Sequence, residues 1–482
     1  MSEGYFLIKR PIFDAMKHFY SQQNHSLHVP GHKHGSLSQL PPVFREVMRF
    51  DLTELNGLDD FHHPEEAIKE AEELLAQTYG AERSFFLING STVGNLAMIY
   101  TVCRPGDRVI VQRNAHKSIF HGLELAGALP IYVAPDWDEQ TKTAGHVSFD
   151  TIEQAIHTYP DAKAVILTHP TYFGVVSTEL KAISDLCHQT NIPLLVDEAH
   201  GAHLQASDLF PQSALSIGAD LVVQSAHKTL PAMTMGSFLH VNSALVDIER
   251  LNHYLRMLQS SSPSYLLMAS LDDARAYLSS FTQHDMHTFL QRRGQFVEGL
   301  KTIRKLEVIE PNDSLKLLLR VPGKSGYQLQ TALEKEKVFV ELADPYQVLI
   351  ILPLLKAAHS YPFAEIRSCI KSAVDHLMLL PINEMELHHA AKQNNISEPV
   401  LSFVEINRQE KEWIPYMRSM GRIAAGAITP YPPGIPLIVP GEKITMGHLE
   451  MLEDYIATGA TIQGEHRLKE KNILVVKETS EE

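Results

Sequence analysis

Cysteine is scarce in these 482 residues: Cys103, Cys187 and Cys369 are the full complement. Three scattered thiols cannot build a disulfide framework or a zinc site, so a reducing compartment is the default. Long hydrophobic runs are missing too. No stretch of about 18 apolar residues occurs, and Met1 to Arg10 lacks the apolar core of a secretory signal. The chain is therefore expected to be soluble and cytoplasmic, with no membrane partner. Basic charge is in deficit, 42 Lys and Arg against 57 Asp and Glu, for a net charge of −15. That sign opposes a nucleic-acid surface and mildly favours a small cationic ligand. Internal repeats and low-complexity tracts are absent. What is there, 44% hydrophobic and 21% charged residues, is the composition of a globular enzyme with a substantial core.

The rhythm of the chain divides it into four segments. Residues 1–45 form an amino-terminal arm carrying His28-Val-Pro-Gly-His-Lys-His34. Pro30, Gly31 and Gly35 argue against a helix there. Its three histidines have no Cys, Asp or Glu beside them, so a loop lining a pocket is expected and a metal site is not. Residues 46–265 alternate strand and helix. A helix opens near Pro64 and stops before Gly80. Strands follow at Ser84–Asn89, Arg108–Gln112, Pro130–Ala134, Ala164–Thr168, Ile192–Val196 and Ala219–Val223. Helices at 92–102, 117–126, 151–158 and 179–189 lie between them, which predicts a mostly parallel sheet covered on both faces. Residues 266–378 begin with a helix to Ser279 and read as a smaller α+β domain. Its strands are placed at 315–320, 338–342 and 347–352, its helices at 326–336 and 362–377, and Pro322–Ser325 is an exposed turn. Residues 379–482 form a carboxyl-terminal domain whose prolines, at Tyr431-Pro-Pro-Gly-Ile-Pro436 and Pro440-Gly-Glu442, predict a rigid extended segment.

Chemistry-bearing residues gather at strand ends. Asp197-Glu-Ala-His200 follows one buried strand and Ser225-Ala-His-Lys228 the next, with Lys228 31 residues beyond Asp197. That distance suits one helical crossover between neighbouring strands. An acid and a lysine at the carboxyl ends of successive strands lie where an open α/β sheet holds a ligand. The pair suits pyridoxal phosphate (PLP), with Lys228 as the Schiff-base partner of its aldehyde and Asp197 on its pyridinium nitrogen. A salt bridge would be the structural alternative for Asp197, and a solvated charge that for Lys228. Upstream, Asn89-Gly-Ser-Thr-Val-Gly-Asn95 closes a strand and opens a helix. Its glycines admit a close ligand, and Ser91 and Thr92 can hold a phosphate or simply cap the helix. His116 can stack on a flat ring or cap the next helix. His200 can pack near the ring, while His203 reads as structural. The acids Glu54, Asp59 and Asp60 precede the first helix and are read either as a solvated loop or as candidates for a substrate's distal cation.

Together these stretches resemble the Orn/Lys/Arg decarboxylase family of fold-type-I PLP enzymes. The matching segments are His28-Val-Pro-Gly-His-Lys33, Asn89-Gly-Ser-Thr-Val93, Asn114-Ala-His-Lys-Ser118 and Pro170-Thr-Tyr-Phe-Gly174. Val196-Asp-Glu-Ala-His200, Ser225-Ala-His-Lys228, Tyr431-Pro-Pro-Gly-Ile-Pro436 and Pro440-Gly-Glu442 complete the set in the family's order. The resemblance implies the fold class: α/β, a large domain built on a mostly parallel sheet, a smaller α+β domain and a C-terminal segment. It implies Lys228 as the cofactor lysine, Asp197 on the pyridine nitrogen and His116 stacked on the ring. Phosphate contacts are implied for Ser91, Thr92, the Val93 backbone, Ser225 and His227, with His200 close by where larger members often carry Trp. Glu442 is implied as the best placed acid for the substrate cation. The expected reaction is decarboxylation of a basic L-amino acid, arginine to agmatine first, lysine or ornithine as alternatives.

The family also implies a homodimer or an assembly of dimers. The chain begins close to its His-Val-Pro-Gly-His motif, so the short form without the family's wing domain is expected. Three rivals stand beside this reading. A fold-type-I aminotransferase would share Asp197 and Lys228. A helicase-type acidic box at Asp197-Glu-Ala-His200 would need a phosphate loop, and Gly323-Lys324-Ser325 has Leu318 where its first glycine belongs. A catalytically dead binding protein would have no need of an intact Asp197 and Lys228.

Overall fold

The computed structural model describes residues 8–22, 24–381, 395–431 and 434–478. Pro432 and Pro433 of the Tyr431–Pro436 motif lie outside the described residues. Two compact units emerge, one from Met1–Val102 with Pro193–Gln283, the other from Cys103–Ile192 with His284–Glu482.

In the first unit the strands run in the order Arg83–Leu87, Ser237–Val241, Leu221–Gln224, Leu194–Asp197. Leu194–Asp197 and Leu221–Gln224 pair in parallel, Leu195 opposite Leu221 and Asp197 opposite Val223. The chain leaves Gln224 through a single short helix, Ala226–Thr229. A connection with so little helix turns back rather than crossing over, and Ser237–Val241 accordingly returns antiparallel to Leu221–Gln224. Helix Gly90–Val102 packs on these strands so closely that a Cβ on Gly94 would lie 2.6 Å from Leu87 Cδ1 and 2.9 Å from Val223 Cγ1. Helices Pro11–Ser21, Ala67–Tyr79 and Tyr265–Ser279 pack on one another. Ala67–Tyr79 ends at Gly80 in the left-handed conformation (φ 69°), the stop its glycine predicts. The helix begins later than Pro64, because its free N–H groups are taken up by a side chain from the preceding loop, described below.

The second unit carries Val165–Thr168, Arg108–Gln112 and Leu129–Val133, adjacent in that order and all parallel, with Ile396–Ser397 antiparallel at the edge. Helices Lys117–Ala126, Phe149–Thr158 and Leu180–Gln189 connect or follow them. The α/β class with predominantly parallel strands is thus observed as expected. A second, antiparallel sheet orders Glu307–Ile309, Lys316–Arg320, Val348–Ile351 and Leu342–Ala343. It shares a core with helices Gln283–Lys301, Gly326–Lys335 and Phe363–Met378 through Phe296, Leu317, Leu333 and Val374. The strand expected at 338–342 is reduced to Leu342–Ala343: Phe339 is 77% exposed, and bonding to the neighbouring strand begins only at Glu341, whose N–H donates to the Leu349 carbonyl at 3.0 Å. The 322–325 turn is exposed only at Pro322. Lys324 is buried with Nζ donating to the Leu380 carbonyl at 2.8 Å, and Ser325 caps the helix that follows. The carboxyl-terminal stretch is more structured than an extended loop: strands Lys411–Pro415, Asn472–Val476 and His466–Arg467 form a third sheet, and Met446–Thr458 is a helix. Among the described residues no helix is long and apolar enough to cross a membrane.

Candidate functional site

Strand Leu194–Asp197 is buried along its length, and it carries Asp197 to its end with 3% of the residue exposed. A carboxylate so placed needs donors. Asn95 Nδ2 donates to Oδ2 at 2.9 Å and the Ala199 N–H to Oδ1 at 3.1 Å. The neighbouring strand end is laced to this one: Glu198 N–H donates to the Val223 carbonyl (2.8 Å), and Ser225 N–H to the Ala199 carbonyl (3.3 Å). One turn of helix after Ser225 brings in Lys228, half-buried, with Nζ 2.9 Å from His200 Nε2. His200 and Lys228, 28 residues apart in the chain, are thereby neighbours, and the imidazole faces the lysine.

Beside them three hydroxyls converge. Ser91 Oγ lies 2.7 Å from Ser225 Oγ and 3.1 Å from Ser237 Oγ. Ser91 therefore reaches across to other strands instead of capping its own helix. Gly90, which begins that helix at φ 78°, has no atom within 4 Å of where a Cβ would stand. Thr92 is exposed in the same first turn and Val93 is buried behind it. A helix start flanked by three hydroxyls is the kind of cradle that can take an anion. His227 is held by Gly236, whose carbonyl accepts from its backbone N–H (3.2 Å) and from Nδ1 (3.0 Å). Ser237 and Asn95 were not assigned roles from sequence. Asn95 lay within the glycine-rich motif, one helical turn beyond Ser91, and that spacing was its available signal. Ser237 had none, because its strand was not legible.

Behind the cradle runs a buried polar chain. Glu198 accepts from Ser213 Oγ, Ala214 N–H and Gln224 Nε2, each at 2.7 Å. Gln224 Oε1 lies 3.2 Å from His240 Nε2, and His240 Nδ1 2.7 Å from Ser84 Oγ. Burial pushes the Glu198 carboxyl up to about 7, against the pull of its three donors, and pushes the His240 imidazole down to about 3. His203, fully buried, sits edge-on to Phe210 with ring centroids 4.9 Å apart.

The acids of the 51–63 loop behave differently from one another. Asp59 is committed: Oδ1 accepts from Asp60 and Glu65 N–H and Oδ2 from Glu66 and Ile68 N–H, all at 2.9 Å. It is the side chain that completes the start of helix Ala67–Tyr79. Asp60 is exposed and Glu54 half-buried; the Asp60 carboxylate accepts from His62 N–H (2.8 Å) and that of Glu54 from Thr53 Oγ1. The loop is tied to the cradle through Ser260, whose carbonyl accepts from His62 Nε2 (2.8 Å) and whose N–H donates to Asn89 Oδ1 (3.2 Å).

In the second unit, His116 caps helix Lys117–Ala126, with Nδ1 2.8 Å from Ser118 Oγ. The cap engages Nδ1, which is the structural role the sequence allowed for this imidazole. Glu442 is already engaged: Arg113 Nε and Nη2 donate to its two oxygens at 2.7 and 2.6 Å, and Val439 N–H adds a third bond at 3.0 Å. Arg113, unremarked in the sequence, is the ion-pair partner of Glu442. Among the described residues no group of His, Cys, Asp or Glu is arranged to hold a metal ion, the His28, His32 and His34 set included. His32 instead pairs with Asp51 at 3.0 Å.

Comparison with known proteins follows the same lines. The model of the Orn/Lys/Arg decarboxylase major domain matches residues 10–318, and that of the Orn/Lys/Arg decarboxylase C-terminal domain matches residues 383–464. The uncharacterized protein YaaO of Bacillus subtilis (strain 168) is 44% identical over 96% of this chain and 98% of its own length. A protein named arginine decarboxylase from Halalkalibacterium halodurans is 33% identical, covering 97% of this chain and 98% of its own. Among solved structures, lysine decarboxylase A from Pseudomonas aeruginosa superposes with a TM-score of 0.80 at 22% identity, over 98% of this chain and 81% of that one, which shows a shared fold.

Proposed function

The chain belongs to the Orn/Lys/Arg decarboxylase family, and we propose that it removes the α-carboxylate of a basic L-amino acid, arginine in the first place, with lysine or ornithine as alternatives, using pyridoxal phosphate. The observation that carries this reading is the convergence of Ser91, Ser225 and Ser237 hydroxyls on one helix start, in the unit that also holds Asp197 and Lys228. The 33%-identical relative named arginine decarboxylase supports arginine ahead of lysine.

The residues present fit the cofactor. Ser91, Ser225 and the open helix start at Gly90 would take its phosphate, with Thr92, Val93 N–H and His227 around them; Asp197 would take the ring nitrogen and Lys228 the aldehyde carbon. His116 is assigned to the ring face. Bound there, pyridoxal phosphate would accept the electron pair released when the bond between Cα and the carboxylate breaks, so that carbon dioxide leaves and a proton takes its place.

The protein's own contribution is placement and charge. Asn95 and the Ala199 N–H fix the orientation of the Asp197 carboxyl group. His200 holds the Lys228 amine at a defined position. Glu54 and Asp60, whose carboxylates are not tied up as Asp59 and Glu442 are, meet the distal cation of the substrate. The net charge of −15 favours that cation's approach. The working form in this reading is a cytoplasmic homodimer or assembly of dimers, with the chain divided near residues 45, 265 and 378.

The test is carbon dioxide release from arginine, lysine and ornithine in parallel with pyridoxal phosphate present. Release from arginine above the other two is expected. Keto-acid formation without carbon dioxide would identify an aminotransferase. A cofactor absorbance that survives Lys228→Ala would sink the assignment of that lysine.

A further inference from the structure

Arg113 is a guanidinium almost wholly withdrawn from water, its side chain 10% exposed and that of Glu442 13% exposed. Such a pair costs solvation and persists when geometry and further hydrogen bonds compensate. Here they do. Besides the two-pronged contact with Glu442, Arg113 Nη1 donates to the Pro436 carbonyl at 2.8 Å and Nη2 to the Leu437 carbonyl at 3.1 Å. Its backbone is fixed by a bond from Arg113 N–H to Val133 O (2.9 Å), and its guanidinium lies 5.6 and 5.8 Å from the ring centroids of Tyr132 and Phe120. The planar fork thus grips the segment that runs up to Glu442 at three places, which an ammonium could not do.

What that segment carries decides its purpose. Gly434 N–H donates to Pro430 O at 3.1 Å, and Gly434 O accepts from Lys117 N–H at 3.0 Å. A Cβ on Gly434 would lie 3.3 Å from both Cδ2 and Nε2 of His116, at a φ of 87° that suits glycine. The His116 imidazole is therefore capped by Ser118 on its Nδ1 side and backed by Gly434 on its opposite edge. Arg113 stands three residues before His116 on the same chain segment, so one short stretch supplies both the imidazole and the grip on the piece that backs it.

We propose that the Arg113–Glu442 pair is a buckle that seats Gly434 against His116, making Arg113 and Glu442 positioning residues for the imidazole face assigned above to the cofactor ring. This rests on the proposed function for what His116 faces, and on the structure alone for the buckle. It also reassigns Glu442 from the substrate's cation to the architecture.

Hydrogen exchange of the full chain, with and without pyridoxal phosphate, reads the buckle directly at the Lys117 amide. In Glu442→Gln and in Arg113→Gln the peptide carrying that amide is expected to exchange at least about tenfold faster, while helix Ile248–Leu258 of the other unit keeps its wild-type rate. The double variant is expected to be no worse than either single one, as for two halves of one device. In activity, both singles lower kcat with KM within about twofold. Should either ion-pair variant fail to fold, Gly434→Ala tests the same seat without touching the pair, and is expected to loosen the Lys117 amide in the same way. A folded Glu442→Gln with unchanged exchange and a tenfold rise in KM would overturn the proposal and return Glu442 to the substrate. A wild-type protein that releases no carbon dioxide from any basic amino acid would sink the decarboxylase reading while leaving the exchange result standing.

Discussion

Lys228 Nζ and His200 Nε2 are 2.9 Å apart, joined across 28 residues of chain at the ends of two parallel strands. An ammonium has donors only, so in that state of Lys228 the imidazole accepts on Nε2 and carries its proton on Nδ1. The histidine then aims the amine. His200→Leu removes the acceptor and His200→Gln supplies another at similar reach. A hydrogen bond to a charged group is worth about 1.5–3 kcal/mol, so His200→Leu is expected to slow the capture of added pyridoxal phosphate by about 10–100-fold. His200→Gln is expected to stay within a few-fold. Stopped-flow absorbance on cofactor-free protein measures both, and equal rates for the two variants would remove His200 from this role.

Asn95 acts on Asp197 in the same manner. Its Nδ2 donates to the buried carboxylate at 2.9 Å, and both side chains are out of water. Asn95→Ala leaves one oxygen of Asp197 without that donor, at a cost of about 1.5–3 kcal/mol. The dissociation constant for pyridoxal phosphate is expected to rise by about 10–100-fold, read by fluorescence titration. A change under twofold would mean that the Ala199 N–H alone suffices to hold the carboxylate.

Asp59 and Asp60 are adjacent acids with opposite expected phenotypes. Asp59 receives the N–H groups of Glu65, Glu66, Ile68 and Lys69 at the start of Ala67–Tyr79. Asp59→Ala is therefore expected to lower stability by about 1–2 kcal/mol, visible as a lower unfolding midpoint, with KM for the basic amino acid nearly unchanged. Asp60→Asn and Glu54→Gln should leave the midpoint alone and raise KM. The reverse pattern would make Asp59 the cation's partner and its helix contacts incidental.

These contrasts show where the sequence was informative. Arg108–Gln112 and Lys117–Ala126 begin and end where they were read, because an apolar run and the residues that punctuate it are adjacent in the chain. The placement of Asp197 at a buried strand end, and of Ser225 and Lys228 just past the next, was legible because each follows its apolar run directly in the chain. Strand Ser237–Val241 was not, since Ser237 and His240 interrupt its apolar pattern, and both are buried by partners far away in sequence. Arg113 reads as an ordinary surface charge until Glu442, 329 residues later, is seen beside it. Phe339 misled in the other direction, a strand former with no strand to pair with.

Glu198 and His240 give the protein two opposed responses to pH. Glu198 has no exposed surface and a carboxyl raised by burial to about 7. A raised folded value means that the stabilisation is fully present below the unfolded carboxyl value of about 4.5 and is lost as pH climbs through 7. His240, lowered by burial to about 3, contributes stability above the unfolded imidazole value of about 6.5 and loses it as pH falls toward 3. Gln224 stands between them, giving Nε2 to Glu198 and Oε1 to His240, so neither can change charge without disturbing the strand that leads to Ser225. Glu198→Gln is expected to be less stable than wild type at pH 5, where it forfeits well-fitted bonds. It should then recover relative to wild type by about 2–3 kcal/mol between pH 5 and pH 8. His240→Gln should show its recovery on the acid side, below pH 6.5. Urea midpoints at pH 4, 5, 6, 7 and 8 test both at once. Wild type and Glu198→Gln running parallel across that range would show that Glu198 keeps one protonation state throughout. The buried chain behind Asp197 would then be fixed in charge, with the pH dependence arising elsewhere.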